Sequence, residues 1–126
     1  MAGNLLTGKR ILIVEDEYFI ATDLKGVLAD AGAVPVGPVA DLEAGLAIAS
    51  EGNLDGALLD VNLEGDHSFP IADLLTQRGV PYMFLTGYDD WALPDAYRGV
   101  PHATKPLGTT DLLDGLVRLL TGETQT

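Results

Sequence analysis

The sequence predicts an α/β domain, a doubly wound sheet of five parallel strands with helices on both faces. Two observations predict it. Short runs rich in β-branched and other apolar residues alternate with longer stretches whose apolar residues recur at helical spacing. Several of those runs are continuously apolar, as strands covered by helices on both sides are, rather than alternating like half-exposed ones.

The first strand is Arg10-Ile11-Leu12-Ile13-Val14. Residues 16–31 read as a helix carrying Phe19, Ile20, Leu24, Val27 and Leu28 on one side, with Gly32 placed for its C-cap. Residues 34–39 form a second strand, which Pro35 and Pro38 confine to a sheet edge because neither can donate to a ladder. Asp41 is the N-cap of a helix through Ser50 bearing Leu42, Leu46 and Ile48. Gly56-Ala57-Leu58-Leu59 is a third buried strand ending at Asp60, and a loop leads from it to Ser68. A helix then runs through Gln77, with Pro70 tolerated in its first turn.

Tyr82-Met83-Phe84-Leu85 is the fourth strand, ending at Thr86. Residues 88–99 hold Pro94 mid-segment and few well-spaced apolar residues. They predict a short helix from near Pro94, or a mobile segment, in place of a full fourth helix. Ala103-Thr104 is a short fifth strand before Lys105-Pro106. The closing helix, 111–120, carries Leu112, Leu113, Leu116, Val117 and Leu120, and residues 122–126 should fray. The expected division is an N-terminal extension over 1–8, a domain over 9–121 and a tail over 122–126.

Composition excludes several function classes. Cysteine is absent from the 126 residues, which removes disulfides, thiolate metal sites and cysteine nucleophiles. No apolar run approaches the roughly 20 residues that span a bilayer, and residues 1–8 lack the order of a secretory signal; a cytoplasmic location is expected. Nineteen acidic residues against seven basic ones give a net charge of −12. That charge disfavours nucleic acid and anionic membranes and favours divalent cations or basic protein surfaces, although it also serves simple solubility.

Ligands of open α/β sheets gather beyond the carboxyl ends of the strands. There the first strand ends in Glu15-Asp16, the third in Asp60, the fourth in Thr86 and the fifth in Lys105. Two carboxylates about 4 Å apart repel by roughly 4 kcal/mol at an effective dielectric of 20. Such a cluster either raises its own pKa values or binds a cation. Mg²⁺ (or Mn²⁺) suits the set, with Asp16 and Asp60 as direct ligands, Glu15 acting through water, and the backbone carbonyl of Asn62 completing the protein's share. A shielded Asp60 carboxylate could attack a phosphorylated donor without a general base, while Lys105 and the Thr86 hydroxyl receive phosphoryl oxygens.

At these residues the chain resembles the receiver domains of two-component response regulators, from about residue 9 to residue 120. The matching elements are Glu15-Asp16, Asp60 in Leu-Leu-Asp-Val-Asn, Thr86-Gly87 and Lys105-Pro106. The resemblance implies the flavodoxin-like strand order 2-1-3-4-5, phosphotransfer from a histidine kinase or a phosphotransfer protein, and self-limited hydrolysis of the acyl phosphate. Phe84-Leu85-Thr86-Gly87-Tyr88 further resembles the signature of single-domain alphaproteobacterial regulators called the FATGUY type, which implies kinases of the HWE or related classes. Without a fused output domain, action through a downstream effector protein or as a phosphate sink is expected. Most receivers place a Tyr or Phe switch three positions before the lysine, where this chain has His102; Tyr88, directly after Thr86-Gly87, is the better candidate for a switch aromatic.

Two other functions use the same features. An aspartyl-nucleophile phosphatase of the haloacid dehalogenase type also needs a strand-end aspartate and Mg²⁺, but wants an acid two residues later, where Asn62 stands. A phosphorylation-independent binding module would keep the fold and grip a partner through residues 88–104. His67-Ser68 lacks an oxyanion turn and carries no serine-hydrolase reading. Gly3, Gly8 and Gly26 make no dinucleotide fingerprint.

Overall fold

The computed structural model describes residues 5–51, 53–63, 65–87, 93–97, 99–105 and 108–122. Five strands form one parallel sheet: β1 (Arg10–Val14), β2 (Val34–Val39), β3 (Gly56–Asp60), β6 (Tyr82–Thr86) and β7 (His102–Thr104). Their order is β2-β1-β3-β6-β7, which is the flavodoxin-like 2-1-3-4-5 when sheet strands alone are counted. The proline-bearing strand lies at an edge, as its missing donors require.

Helices α1 (Tyr18–Asp30), α2 (Leu42–Glu51), α3 (Phe69–Gln77) and α4 (Thr109–Thr121) connect and close the sheet. Side chains alternate along each strand, so each buried strand feeds two cores. Ile11, Ile13, Leu58, Met83 and Leu85 pack with Leu24 and Leu28 of α1 and Leu112 and Leu116 of α4. Leu12, Val14, Ala57, Leu59 and Phe84 pack with Ala49 of α2 and Ile71, Ala72 and Leu75 of α3. Each fully buried leucine contributes about 1.5–3 kcal/mol, which is what fixes the strand ends in place.

The helix ends follow local chemistry. Asp41 Oδ1 accepts the Ala44 N–H at 2.8 Å, the cap expected of it. Gly32 (φ +90) and Gly122 (φ +78) follow α1 and α4 in left-handed conformations that a side chain would strain. At Gly45, α2 approaches α3 so closely that a Cβ would lie 2.5 Å from Ile71 Cδ1.

Four features differ from expectation. Helix α1 starts at Tyr18 rather than 16, because residue 17 keeps extended backbone (φ −87, ψ 116). Phe19, placed on the apolar face by its spacing, is 85% exposed and Tyr18 75%. Spacing marks one side of a helix, but the first turn stands beyond the strand ends where the sheet offers it no cover. The loop after Asp60 contains an antiparallel hairpin, β4 (Asn62–Leu63) with β5 (Asp66–His67). Finally, Leu6, from the stretch expected as an extension, is 1% exposed and belongs to the core of α1 and α4.

The short helix expected near Pro94 is a 3₁₀ turn, Asp95–Tyr97, with the Tyr97 N–H donating to the Pro94 carbonyl at 2.9 Å. The Tyr97 ring stacks on Phe69 of α3 at 4.4 Å, and its hydroxyl donates to Asp73 Oδ1 at 2.8 Å. Among the described residues no helix is long and apolar enough to cross a membrane.

Candidate phosphoryl and metal site

The site stands at the carboxyl edge of the sheet, where β1, β3, β6 and β7 end side by side. Leu59 pairs with Phe84 and Asp60 with Leu85, which brings Thr86 to the same edge. Thr86 pairs with Thr104, and the Thr86 carbonyl accepts the Lys105 N–H at 2.8 Å, so Lys105 leaves the sheet beside Asp60. Parallel pairing alone converts four separated sequence positions into neighbours.

Lys105 Nζ lies 3.2 Å from Asp60 Oδ2 and 3.0 Å from Glu15 Oε1, with the exposed Glu17 carboxylate farther off at 3.9 Å. Glu15 and Asp60 are buried, while Asp16 is more open. One carboxylate oxygen each from Glu15, Asp16 and Asp60 falls within 4.8 Å of the others. Glu15 Oε2 accepts the Glu17 N–H at 3.1 Å. Among the described residues, Glu15 Oε1 has no partner beyond the lysine ammonium.

The charges reshape one another. Burial pushes the Asp60 carboxyl up to about 8, a hydrogen bond and the charge of Glu15 push the same way, and Lys105 opposes them. Burial alone would depress the Lys105 ammonium, but contact with Glu15 and Asp60 outweighs it and holds the group above its ordinary value. Three acids against one base leave excess negative charge in a partly dehydrated pocket. Hard carboxylate oxygens at this separation could hold a metal ion.

Glu15, Asp16, Asp60 and Lys105 are therefore brought together as the sequence suggested. Thr86 is buried at the same edge, its hydroxyl within 3.4 Å of the Ala103 carbonyl and the Thr104 hydroxyl. Asn62 opens the hairpin directly after the Asp60-Val61 pair and faces His67 across it. His102 is exposed on β7 beside Phe84, so no buried aromatic occupies that position. Tyr88 lies outside the described residues, as do Trp91 and Pro106.

Sequence reasoning gave no role to Glu17, although the acidic run Glu15-Asp16-Glu17 was a signal for it. It also missed the aromatic stack His67–Phe69–Tyr97, with ring centroids 5.3 and 4.4 Å apart. Three unspaced aromatics in separate segments left no pattern to find.

No protein-family model matches the chain, and no curated protein matches it. Solved structures do. The solution structure of SdrG from Sphingomonas melonis is 38% identical, covers 90% of this chain and 97% of that one, and superposes with a TM-score of 0.82. The BeF3-activated conformation of SdrG from Pseudomonas melonis is 36% identical over 90% of this chain and 98% of that one, with a TM-score of 0.77. A response regulator receiver protein from Sinorhizobium medicae, 20% identical over 93% and 98% of the two chains, shares the fold at a TM-score of 0.78.

Proposed function

Because the chain belongs to the receiver family of response regulators, we propose that Asp60 is its phosphoacceptor, charged by a histidine kinase or a phosphotransfer protein in a Mg²⁺-dependent step. One observation carries the reading: a buried strand-end aspartate lies 3.2 Å from a lysine ammonium with two further carboxylates in cation-binding range. Asp16 and Asp60 would hold the cation directly, with the Asn62 carbonyl as the next ligand and Glu15 in the layer behind. When bound, Mg²⁺ (or Mn²⁺) offsets the repulsion among the acids and stabilises charge on the phosphoryl group.

The chain's own groups then divide the work. An Asp60 carboxylate oxygen forms the new bond to phosphorus as the donor's bond to phosphorus breaks, and the donor leaves with that electron pair. No base is needed for Asp60 in its ionised form, which Lys105 and a bound cation would favour over the protonated one. Lys105 is placed to pair with one phosphoryl oxygen and the Thr86 hydroxyl to donate to another. Tyr88 and His102 remain the candidate positions for a switch side chain. The segment from Phe84 to Tyr88 supports a kinase of the HWE class as donor, and a downstream effector or the kinase itself as the recipient of the signal, in the cytoplasm.

The test is intact-mass spectrometry after incubation with acetyl phosphate and Mg²⁺. A gain of about 80 Da, the mass of one phosphoryl group, is expected in wild type and absent in Asp60→Asn. Wild-type protein that stays unmodified with acetyl phosphate and with candidate kinases overturns the assignment.

A further inference from the structure

We propose that the ring stack His67–Phe69–Tyr97 couples the loop after Asp60 to the 3₁₀ turn at Asp95–Tyr97, so that the turn responds to events at the strand end. The inference rests on the phosphoacceptor reading for what sets the coupling in motion, but not for the coupling itself. Each joint is a described contact. The segment Asp60-Val61-Asn62 is tied twice to the far side of the hairpin: the Ser68 N–H donates to the Val61 carbonyl at 3.0 Å, and Asn62 pairs with His67. The His67 ring lies along Phe69, the first residue of α3, with centroids 5.3 Å apart and planes 24° from parallel. Phe69 in turn stacks on Tyr97 at 4.4 Å and 9°.

The stack combines a stiff floor with softer rings above it. Phe84 meets both Phe69 and Tyr97 edge to face at 5.9 Å, and it is fully buried in β6, paired to Leu59 on one side and His102 on the other. His67 is exposed, and Phe69 and Tyr97 are half-buried. A shift of the hairpin therefore disturbs the stack at less cost than it disturbs the sheet. The Tyr97 hydroxyl donates to Asp73 Oδ1 on the same helix that carries Phe69, so ring and hydroxyl together clamp the turn to α3. The exposed His102 on β7 supplies no buried ring for another route.

The first readout needs neither metal nor phosphorylation. In amide hydrogen exchange by NMR, Tyr97→Leu should speed exchange of the Ser68 N–H about two- to tenfold, the equilibrium factor of one aromatic pair, and leave the amides of β3 unchanged. His67→Ala, at an exposed position that folding tolerates, should speed exchange of the Tyr97 N–H by a similar factor. An unchanged Ser68 N–H in the first variant, an unchanged Tyr97 N–H in the second, or equal acceleration throughout β3 overturns the proposal. The second readout is the Tyr97 ring itself, followed by ¹³C-tyrosine NMR and assigned with Tyr97→Phe. Mg²⁺ with beryllofluoride, a phosphoryl mimic, should move the ring signals in wild type and move them less than about half as far in Phe69→Leu. Equal movement in both, or none in wild type that binds the mimic, overturns it. If wild type does not bind the mimic, the phosphoacceptor reading fails while the exchange experiment still decides the coupling.

Discussion

Asp60 carries two consequences of being buried among acids. Its folded-state pKa of about 8 lies above the ordinary 3.8, so the folded protein binds a proton that the unfolded chain does not. Metal-free stability is therefore highest below pH 3.8 as far as this group is concerned, and falls as pH rises through about 8. Asp60→Asn removes that penalty. At pH 8 and above it should raise the metal-free melting temperature by several degrees, on the order of 1–2 kcal/mol, with a much smaller gain near pH 5. Thermal melts of both proteins across that range check it, and equal melting temperatures at pH 8 contradict the cause assigned to the shift. At Thr86, the isosteric Thr86→Val keeps the packing and removes one donor, and should slow phosphorylation by roughly 10–100-fold with little change in stability. The identities at this site were legible in the sequence because each closes an apolar strand-like run. The link between Glu15 and Lys105 was not, because it depends on which way one side chain turns.

Among the elements, the α2–α3 contact is the tightest test of packing. Gly45→Ala sets a methyl 2.5 Å from Ile71 Cδ1 and should destabilise by about 1–3 kcal/mol. Adding Ile71→Val deletes the offending methyl and should recover part of that loss, as urea denaturation would show. The 3₁₀ turn is held differently, by Tyr97 stacked on Phe69 and bonded to Asp73. Burial first, then the Asp73 carboxylate, push the Tyr97 phenol up to about 12, so ultraviolet titration should find one tyrosine ionising well after its ordinary 10. In Asp73→Asn that tyrosine should titrate earlier. Long periodic elements such as α4 were readable, and so was the shortness of the segment at Pro94. The β4–β5 hairpin was not, because strands of two residues carry no period. Phe19 misled for the opposite reason: its spacing was helical, yet the turn it sits on has nothing to cover it.

At the scale of the whole molecule, the sheet edge collects negative charge that the net −12 of the chain reinforces. Protons and Mg²⁺ compete for Asp60, so metal affinity by calorimetry should weaken by up to about tenfold for each pH unit below 8 and level off above it. Affinity independent of pH between 6 and 8 would exclude Asp60 as a ligand. The overall architecture was the most legible level of all, since continuous apolar strands allow few arrangements besides a sheet covered twice. Leu6, ahead of the first strand, packs in the core although it belongs to no repeating pattern in the sequence. It acts as a cork. Protein trimmed to start at Lys9 would leave a leucine-sized hole in the core that Leu6 shares with the sheet, α1 and α4, at a cost of about 2–5 kcal/mol. An eight-residue deletion that looks harmless on paper should yield a visibly less stable product.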